Sequence, residues 1–301
     1  MTEIVNPEAK YFNAFNLIGG IGPIGFKKLL EHFKSLKTAW QAEINQFQKA
    51  GLTQPAIEQI KARRPQINPD YQMERLAKQK IKMITILDEN YPRLLKEIYS
   101  PPALLYLRGE LKPEDEFSLG IVGTRKLSLY GRQVTLLIAA ELAQAGLTIV
   151  SGLAKGIDTL AHQSALKVKG RTIAVLGSGI DRQSIYPPIN RSLAEEISEN
   201  GAVISEFPIE TQPLAQHFPQ RNRIIAGLSL GVLVIEAPSK SGALITARDA
   251  LEQNRDVFAI PGHILSTNSS GPHDLIKMGA KLVNQASDIL EELNLSRLTK
   301  K

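Results

Sequence analysis

LGIVGTRKLSLY, residues 119–130, sets an apolar run against a glycine turn and a cation, just before a helical pattern begins. The run 117–122 ends in Gly123-Thr124-Arg125, and helical spacing starts near Tyr130. Strand, tight turn and helix start together make an anion site. Main-chain N–H groups at a helix N-terminus carry partial positive charge, and glycine lets a phosphate come close to them. Arg125 adds a planar two-pronged donor. The turn lacks the full GxGxxG spacing, so its weight comes from similar junctions that recur downstream.

Outward from this stretch, strands and helices alternate. Strand-like runs fall at 119–122, 148–151, 172–176, 203–206, 232–235 and 257–260, with helical patterns at 131–145, 159–167, 190–199, 221–227 and 243–253. Near-continuous Val/Ile/Leu strands separated by amphipathic helices predict an α/β fold, a parallel sheet with helices on both faces. In such a sheet the ligand crevice lies beyond the carboxyl ends of the strands.

Glycines, hydroxyls and cations gather at those ends. SGLAKGID (151–158), carrying Lys155, follows the second run, and GSGID (177–181), carrying Gly177 and Gly179, follows the third. The fourth leads to FPQRNR (218–223), and the fifth to SKSGALIT (239–246) with Ser241, Gly242 and Thr246. Arg221, Asn222 and Arg223 open a helix, where the dipole disfavours cations by ~0.3–1 kcal/mol unless a partner compensates. Either an anionic ligand or Glu206 or Glu210 is that partner. Ser241 reads as an N-cap, as part of a phosphate cradle, or as both. Asp158 reads as an N-cap, whereas Asp181 either meets a sugar or base or ties its own loop. Neither has a carboxylate partner at catalytic spacing, so no acid–base pair is indicated. His162 reads as packed; His217, His263 and His273 are scattered without ligand spacing, so neither a metal site nor a cofactor is expected. Tyr130, Tyr186, Phe207 and Phe218 lie near strand ends, where an aromatic can stack on a base or simply fill the core.

Upstream, NLIGGIGPIGFKKLL (16–30) resembles a helix-hairpin-helix, whose glycine turn offers N–H groups to a DNA phosphate without reading sequence. Gly20 and Gly22 would make that contact and Lys27 and Lys28 reinforce it; the alternative is a bundle turn with solvated lysines. Helical patterns at 56–63 and 71–79 continue the module to residue 75. Residues 76–116, with strand-like runs at 83–87 and 104–107, are too apolar for a solvated tether and are expected to pack on the next domain.

The 301 residues suffice for a large core and favour two domains. With no cysteine, disulfides and thiol chemistry are excluded. The opening MTEIVNPEAKYF lacks a leader pattern and no apolar run nears ~20 residues, so a cytoplasmic, membrane-free location is expected. The net charge of +6 suggests an anionic partner. Residues 1–110 hold 16 Lys/Arg against 11 Asp/Glu, 111–290 hold 17 of each, and the last eleven hold 3 against 2. The larger unit must therefore bind an anion by clustering cations, not by bulk charge.

These motifs in this order resemble the DNA-processing protein A family, DprA/Smf: GIVGTR (120–125), SGLAKGIDTLAH (151–162), AVLGSGIDRQSIYPPIN (174–190), FPQRNRIIAGLS (218–229), SGALITA (241–247) and IPGH (260–263). GPHDLIKMGAKLV (271–283), YPRLL (91–95) and PPALLYLRG (101–109) extend the match. The resemblance implies a helical, SAM-like domain over 1–75, the packed extension, an extended Rossmann-like domain over 117–287, and a tail at 288–301 where many members carry a winged helix. It implies binding of single-stranded DNA, protection of incoming DNA in natural transformation, loading of a RecA-type recombinase, and no catalysis. By motif, Gly123, Thr124, Arg125, residues 221–223, Ser241 and Gly242 would line the DNA pocket, with Lys155 a further contact, while the segment with His273, Ile276 and Leu282 would form a homodimer. The competing expectation is a Rossmann-like nucleotide phosphoribohydrolase or nucleotide-binding protein. That family's PGGxGTxxE is replaced here by PSKSGALITARDALE (238–252), without the double glycine and with Glu252 too far from Thr246.

Overall fold

A computed structural model describes residues 6–295. Residues 1–5 of the stretch searched for a leader, and 296–301 of the tail, lie outside the described residues. Nine strands form one sheet: β1 (Lys82–Thr85), β2 (Leu104–Gly109), β3 (Ser118–Val122), β4 (Thr148–Ser151), β5 (Thr172–Leu176), β6 (Ala202–Ser205), β7 (Gly231–Val234), β8 (Asp256–Ala259) and β9 (Lys281–Leu282). Their order is β1-β2-β6-β5-β4-β3-β7-β8-β9. From β6 to β9 all neighbours are parallel, while β2 runs antiparallel to β6 and β1 to β2.

Among the described residues six α-helices precede the first strand: α1 (Ala9–Asn16), α2 (Pro23–Phe33), α3 (Leu36–Gln41), α4 (Ile44–Lys49), α5 (Gln54–Arg63) and α6 (Pro69–Lys78). Short α7 (Arg93–Lys96) lies between β1 and β2. The crossovers and end are α8 (Leu129–Gln144), α9 (Ile157–Lys167), α10 (Arg191–Asn200), α11 (His217–Leu228), α12 (Ala243–Glu252), α13 (Ser270–Lys277) and α14 (Ala286–Glu292).

Side chains alternate across a strand, so each strand feeds two cores. Leu119, Ile121, Leu233 and Phe258 join Ile138, Leu142 and Ile157 of α8 and α9 on one face. Val122, Val150, Val175 and Val234 join Ile224, Ile225 and Ala247 of α11 and α12 on the other. Two buried faces explain why these strands read as continuous apolar runs. The parallel sheet with helices on both faces is thus present, and each expected strand lies within a residue or two of its predicted place. β9 was not expected: two residues at the sheet edge, both exposed, leave no hydrophobic pattern.

The helices of 9–78 pack on the same face as α10. Phe12, Phe15, Leu29, Phe47 and Ile60 share one core with Tyr106, Leu176, Leu193 and Val203. Tyr106, fully buried, bolts the two parts together: its hydroxyl donates to Asn13 Oδ1 at 2.7 Å and accepts from Asn16 Nδ2 at 3.2 Å. Asn16 Nδ2 also reaches the carbonyl of Glu206 at 3.0 Å. Among the described residues no helix is long and apolar enough to cross a membrane.

Candidate nucleic-acid interface

From β3 the chain first builds outward through β4, β5 and β6, then returns to place β7 on the other side of β3. This reversal opens a crevice beyond the carboxyl ends of β3 and β7, the place where ligands bind in such sheets. The Gly123–Ser128 loop starts there.

Glu236, Ile157 and Asn268, whose Nδ2 donates to the Lys126 carbonyl at 3.1 Å, hold that loop. Thr124 N–H donates to the Glu236 carbonyl at 2.7 Å, and Ile157 N–H to the Thr124 carbonyl at 3.3 Å. The Glu236 carboxylate, 3% exposed, accepts from Ser128 N–H at 2.9 Å, Ser128 Oγ at 2.5 Å and Asn268 Nδ2 at 3.3 Å. Ser128 Oγ in turn accepts from Gly131 N–H at 3.0 Å, capping α8. Glycine is required at two facing points: a Cβ on Gly131 would overlap the Glu236 carboxylate, and one on Gly156, whose φ is +87°, would overlap the Thr124 carbonyl.

Held in this way, Arg125 projects into solvent with its guanidinium 5.6 Å from the ring centre of Phe218, within cation–π range. Phe218 lies against Gly177, where a Cβ would be 3.1 Å from the ring, and 6.1 Å from the ring of Tyr186, which is 42% exposed. Gly123, Thr124, Arg125, Gly156, Gly177 and Phe218 therefore meet at one edge. Lys155 is exposed on the neighbouring β4–α9 loop. Lys126 and Lys240, both exposed on loops at the same edge, were not singled out from the sequence. Arg125, Lys126, Lys155 and Lys240 make no ion pair among the described residues. The nearby carboxylates are withdrawn: Glu236, Asp158 and Asp181 are buried, and Glu210 pairs with Arg75 at 2.5 Å.

The RNR run divides into three different roles. Arg221 is 4% exposed; its guanidinium donates to the carbonyls of Gly152, at 2.6 Å, and Val175, and to Asn222 Oδ1 at 3.1 Å. Burial lowers its pKa to about 10, and Asp158 partly restores it. Asn222 Nδ2 reaches the Gly242 carbonyl at 3.3 Å, joining α11 to the β7–α12 turn. Arg223 grips both oxygens of Glu206, at 2.6 and 2.5 Å, and the Ser100 carbonyl at 2.8 Å. The sequence left an anionic ligand, Glu206 or Glu210 as the partner of this run: Arg223 meets Glu206, while Arg221, expected to line the pocket, is buried and braces the strand ends from below.

Other expected residues sort by the same measure. Gly242 is exposed with open space around it and is itself the N-cap of α12, so Ser241 is not the cap; one residue earlier, its Oγ accepts from Ala243 N–H at 3.3 Å. Thr246 is 1% exposed and faces the core, so it offers nothing to a ligand. Gly179 is buried in a loop tied by Asp181, whose carboxylate accepts from Ser184 N–H, Ser184 Oγ and Glu210 N–H. Asp158 caps no helix end; it accepts from Gly152 N–H at 3.2 Å and Ala154 N–H at 3.4 Å and so shapes the loop that carries Lys155. Burial raises its carboxyl to about 6, offset in part by Arg221. His162 is packed: Thr172 Oγ1 donates to the Ile149 carbonyl, so the imidazole must donate through Nδ1 to Thr172 at 2.6 Å. Burial lowers its pKa to about 3, keeping it neutral.

On the helical side, Gly20 and Gly22 are exposed in the α1–α2 turn. Lys28 is committed elsewhere, donating to the Gly51 carbonyl at 2.7 Å, and Lys27 lies 4.0 Å from Glu31. At the far edge of the sheet, Leu282 is 39% exposed, Ile276 half-buried, and His273 turned inward with Nε2 beside Gly262. Among the described residues no group of three or more His, Asp or Glu could hold a metal ion.

Comparison with known proteins shows the family. A family model described as DNA recombination-mediator protein A matches residues 82–294. The chain is 44% identical over 295 residues to Protein Smf of Synechocystis sp., covering 96% of this chain and 74% of that protein. The X-ray structure of DNA processing protein A from Streptococcus pneumoniae superposes with a TM-score of 0.81 at 40% identity, over 94% of this chain and 97% of that one. DNA processing protein A from Helicobacter pylori, described for its single-stranded DNA binding mode, gives a TM-score of 0.64 at 31% identity, over 71% and 96%. Family model, sequence identity and superposition agree, and the chain belongs to the DNA recombination-mediator protein A family.

Proposed function

We propose that the edge formed by Gly123–Arg125, Lys155 and Phe218 holds single-stranded DNA by its sugar–phosphate backbone. The observation that carries this reading is the Arg125 guanidinium, exposed, without an ion pair among the described residues and set over the Phe218 ring. A guanidinium with open donors binds a phosphate bidentately, and an aromatic face beside it takes an unstacked base at ~1–3 kcal/mol. Lys126, Lys155 and Lys240 add charge along the same edge. Duplex DNA hides its base faces, so this arrangement favours a single strand. The Helicobacter pylori relative described for single-stranded DNA binding supports the assignment.

The wider role proposed is that of the family: the bound strand is shielded and passed to a RecA-type recombinase by a homodimer. The dimer face proposed is the β9 edge with α13, where Leu282 and Met278 are exposed and the β9 ladder has one open side. Binding of matched single- and double-stranded oligonucleotides at fixed salt tests the central reading. A marked preference for the single strand is expected; equal affinity for the two refutes it.

A further inference from the structure

A groove of about 540 Å³ separates the α1–α2 turn from the start of α11. One wall is the turn itself, Gly19 to Pro23. The facing wall holds Phe207 and His217, whose rings stack at 4.3 Å with 27° between planes. The Glu206–Arg223 pair also lines it, so the carboxylate there is already neutralised by two hydrogen bonds.

Three features of the groove are unused by the protein's own packing. The N–H groups of Gly19, Gly20 and Gly22 meet no acceptor among the described residues. A Cβ built on Gly19 or Gly22 finds nothing within 4 Å, so a second chain can lie against the turn. Nδ1 of His217 is shielded from solvent without a partner among the described residues, leaving the Phe207–His217 stack as an amphipathic platform instead of a hydrogen-bonded one. Main-chain donors opposite an aromatic platform are the two halves of a nucleotide site, one for phosphate and one for a base. The groove also continues the first site, because the opening turn of α11 sends His217 into it while the next residue, Phe218, meets Arg125.

We propose that this groove is a second subsite for the same single strand of nucleic acid, with a base against Phe207–His217 and the phosphate on the Gly19–Gly22 turn. The inference rests on the assignment of the Arg125 edge to single-stranded DNA, and it makes the helical part a portion of the binding track. Glu206 holds Arg223 away from the strand, so the groove grips through main-chain donors and stacking, with little dependence on base identity.

A length series of single-stranded oligothymidylates, measured by fluorescence anisotropy, tests the subsite with the full chain and two variants. Gly19→Glu places a carboxylate in open space at the turn, and Phe207→Ala removes half the platform. In the unaltered protein, affinity should rise with length in two stages. Both variants should lose the second stage, roughly 5- to 150-fold for a base stack, and keep short-strand affinity within about twofold. Thermal melting identifies a variant that fails to fold; Gly19→Glu, at an exposed turn, then decides alone. A second stage that survives Gly19→Glu, or a loss equal at all lengths, overturns the subsite. Failure of the unaltered protein to bind strands of any length overturns the assignment of the Arg125 edge, and the subsite with it.

Discussion

Arg125 and Arg221 lie within one site, and both guanidiniums face the Phe218 ring, at 5.6 and 5.9 Å. Their surroundings give them opposite tasks. Arg221→Ala strips hydrogen bonds from the buried carbonyls of Gly152 and Val175, at a cost of ~1–3 kcal/mol for each group left unpaired. A fall in the chemical-denaturation midpoint is expected, together with weaker DNA binding. Arg125→Ala should leave stability within about 0.5 kcal/mol of the parent, since the residue is exposed and unpaired. Equal stability losses in the two would contradict the division of roles. Glu236→Gln sets an amide against donors that all point at a carboxylate, Ser128 N–H, Ser128 Oγ and Asn268 Nδ2. It should weaken DNA binding by loosening the Arg125 loop even where Arg125 is intact. Unchanged affinity in the folded variant would show that the loop needs no such anchor. The sequence marked 221–223 as cations at a helix start, but a linear string cannot say which guanidinium turns inward. The anchoring role of Glu236 was not legible in the sequence, because it depends on a partner 108 positions away.

At the level of elements, the β4–α9 loop is shaped by one buried carboxylate. The Asp158 carboxyl is raised from 3.8 to about 6, so between those values the folded protein holds a proton that the unfolded chain releases. Its contribution therefore favours the fold below about pH 4 and declines as pH rises to about 6, by on the order of 2–3 kcal/mol. Denaturation midpoints of the parent and Asp158→Asn across this window should converge at the acid end and separate toward pH 6, with the parent losing ground. A constant gap would contradict the burial argument. Elements were the most legible scale. In runs such as 172–176 every residue after Thr172 is apolar because both faces of β5 are covered, and β5 was found at those residues. α11 begins at His217, four residues before the run 221–227 suggested. The shift matters, because those residues bring Phe218 to the site. β9 escaped because its pairing with β8, not its own composition, makes it a strand.

At the scale of the whole molecule, the helices of 9–78 and the sheet share a core around Tyr106, so the α1–α2 turn is held at a fixed place beside the strand ends. Tyr106→Phe leaves Asn13 Oδ1 and Asn16 Nδ2 short of a partner and should cost ~1–3 kcal/mol in unfolding free energy. A neutral result by denaturant titration would show that the hydroxyl does not join the two parts. The sequence showed that both parts carry glycine turns suited to phosphate, but not that a single groove lies between them. That proximity comes from packing of residues far apart in the chain. The net charge of +6 is equally silent on place: the strand-end edge is basic because its carboxylates are buried or paired, while residues 111–290 sum to zero. The salt dependence of single-strand binding, measured for the parent and Arg125→Ala over several base compositions, tests the central claim most directly. If Arg125 grips a phosphate, its removal should weaken binding alike on all compositions and reduce the slope of log affinity against log salt by about 0.7. An unchanged slope, or a loss confined to one base composition, would contradict it.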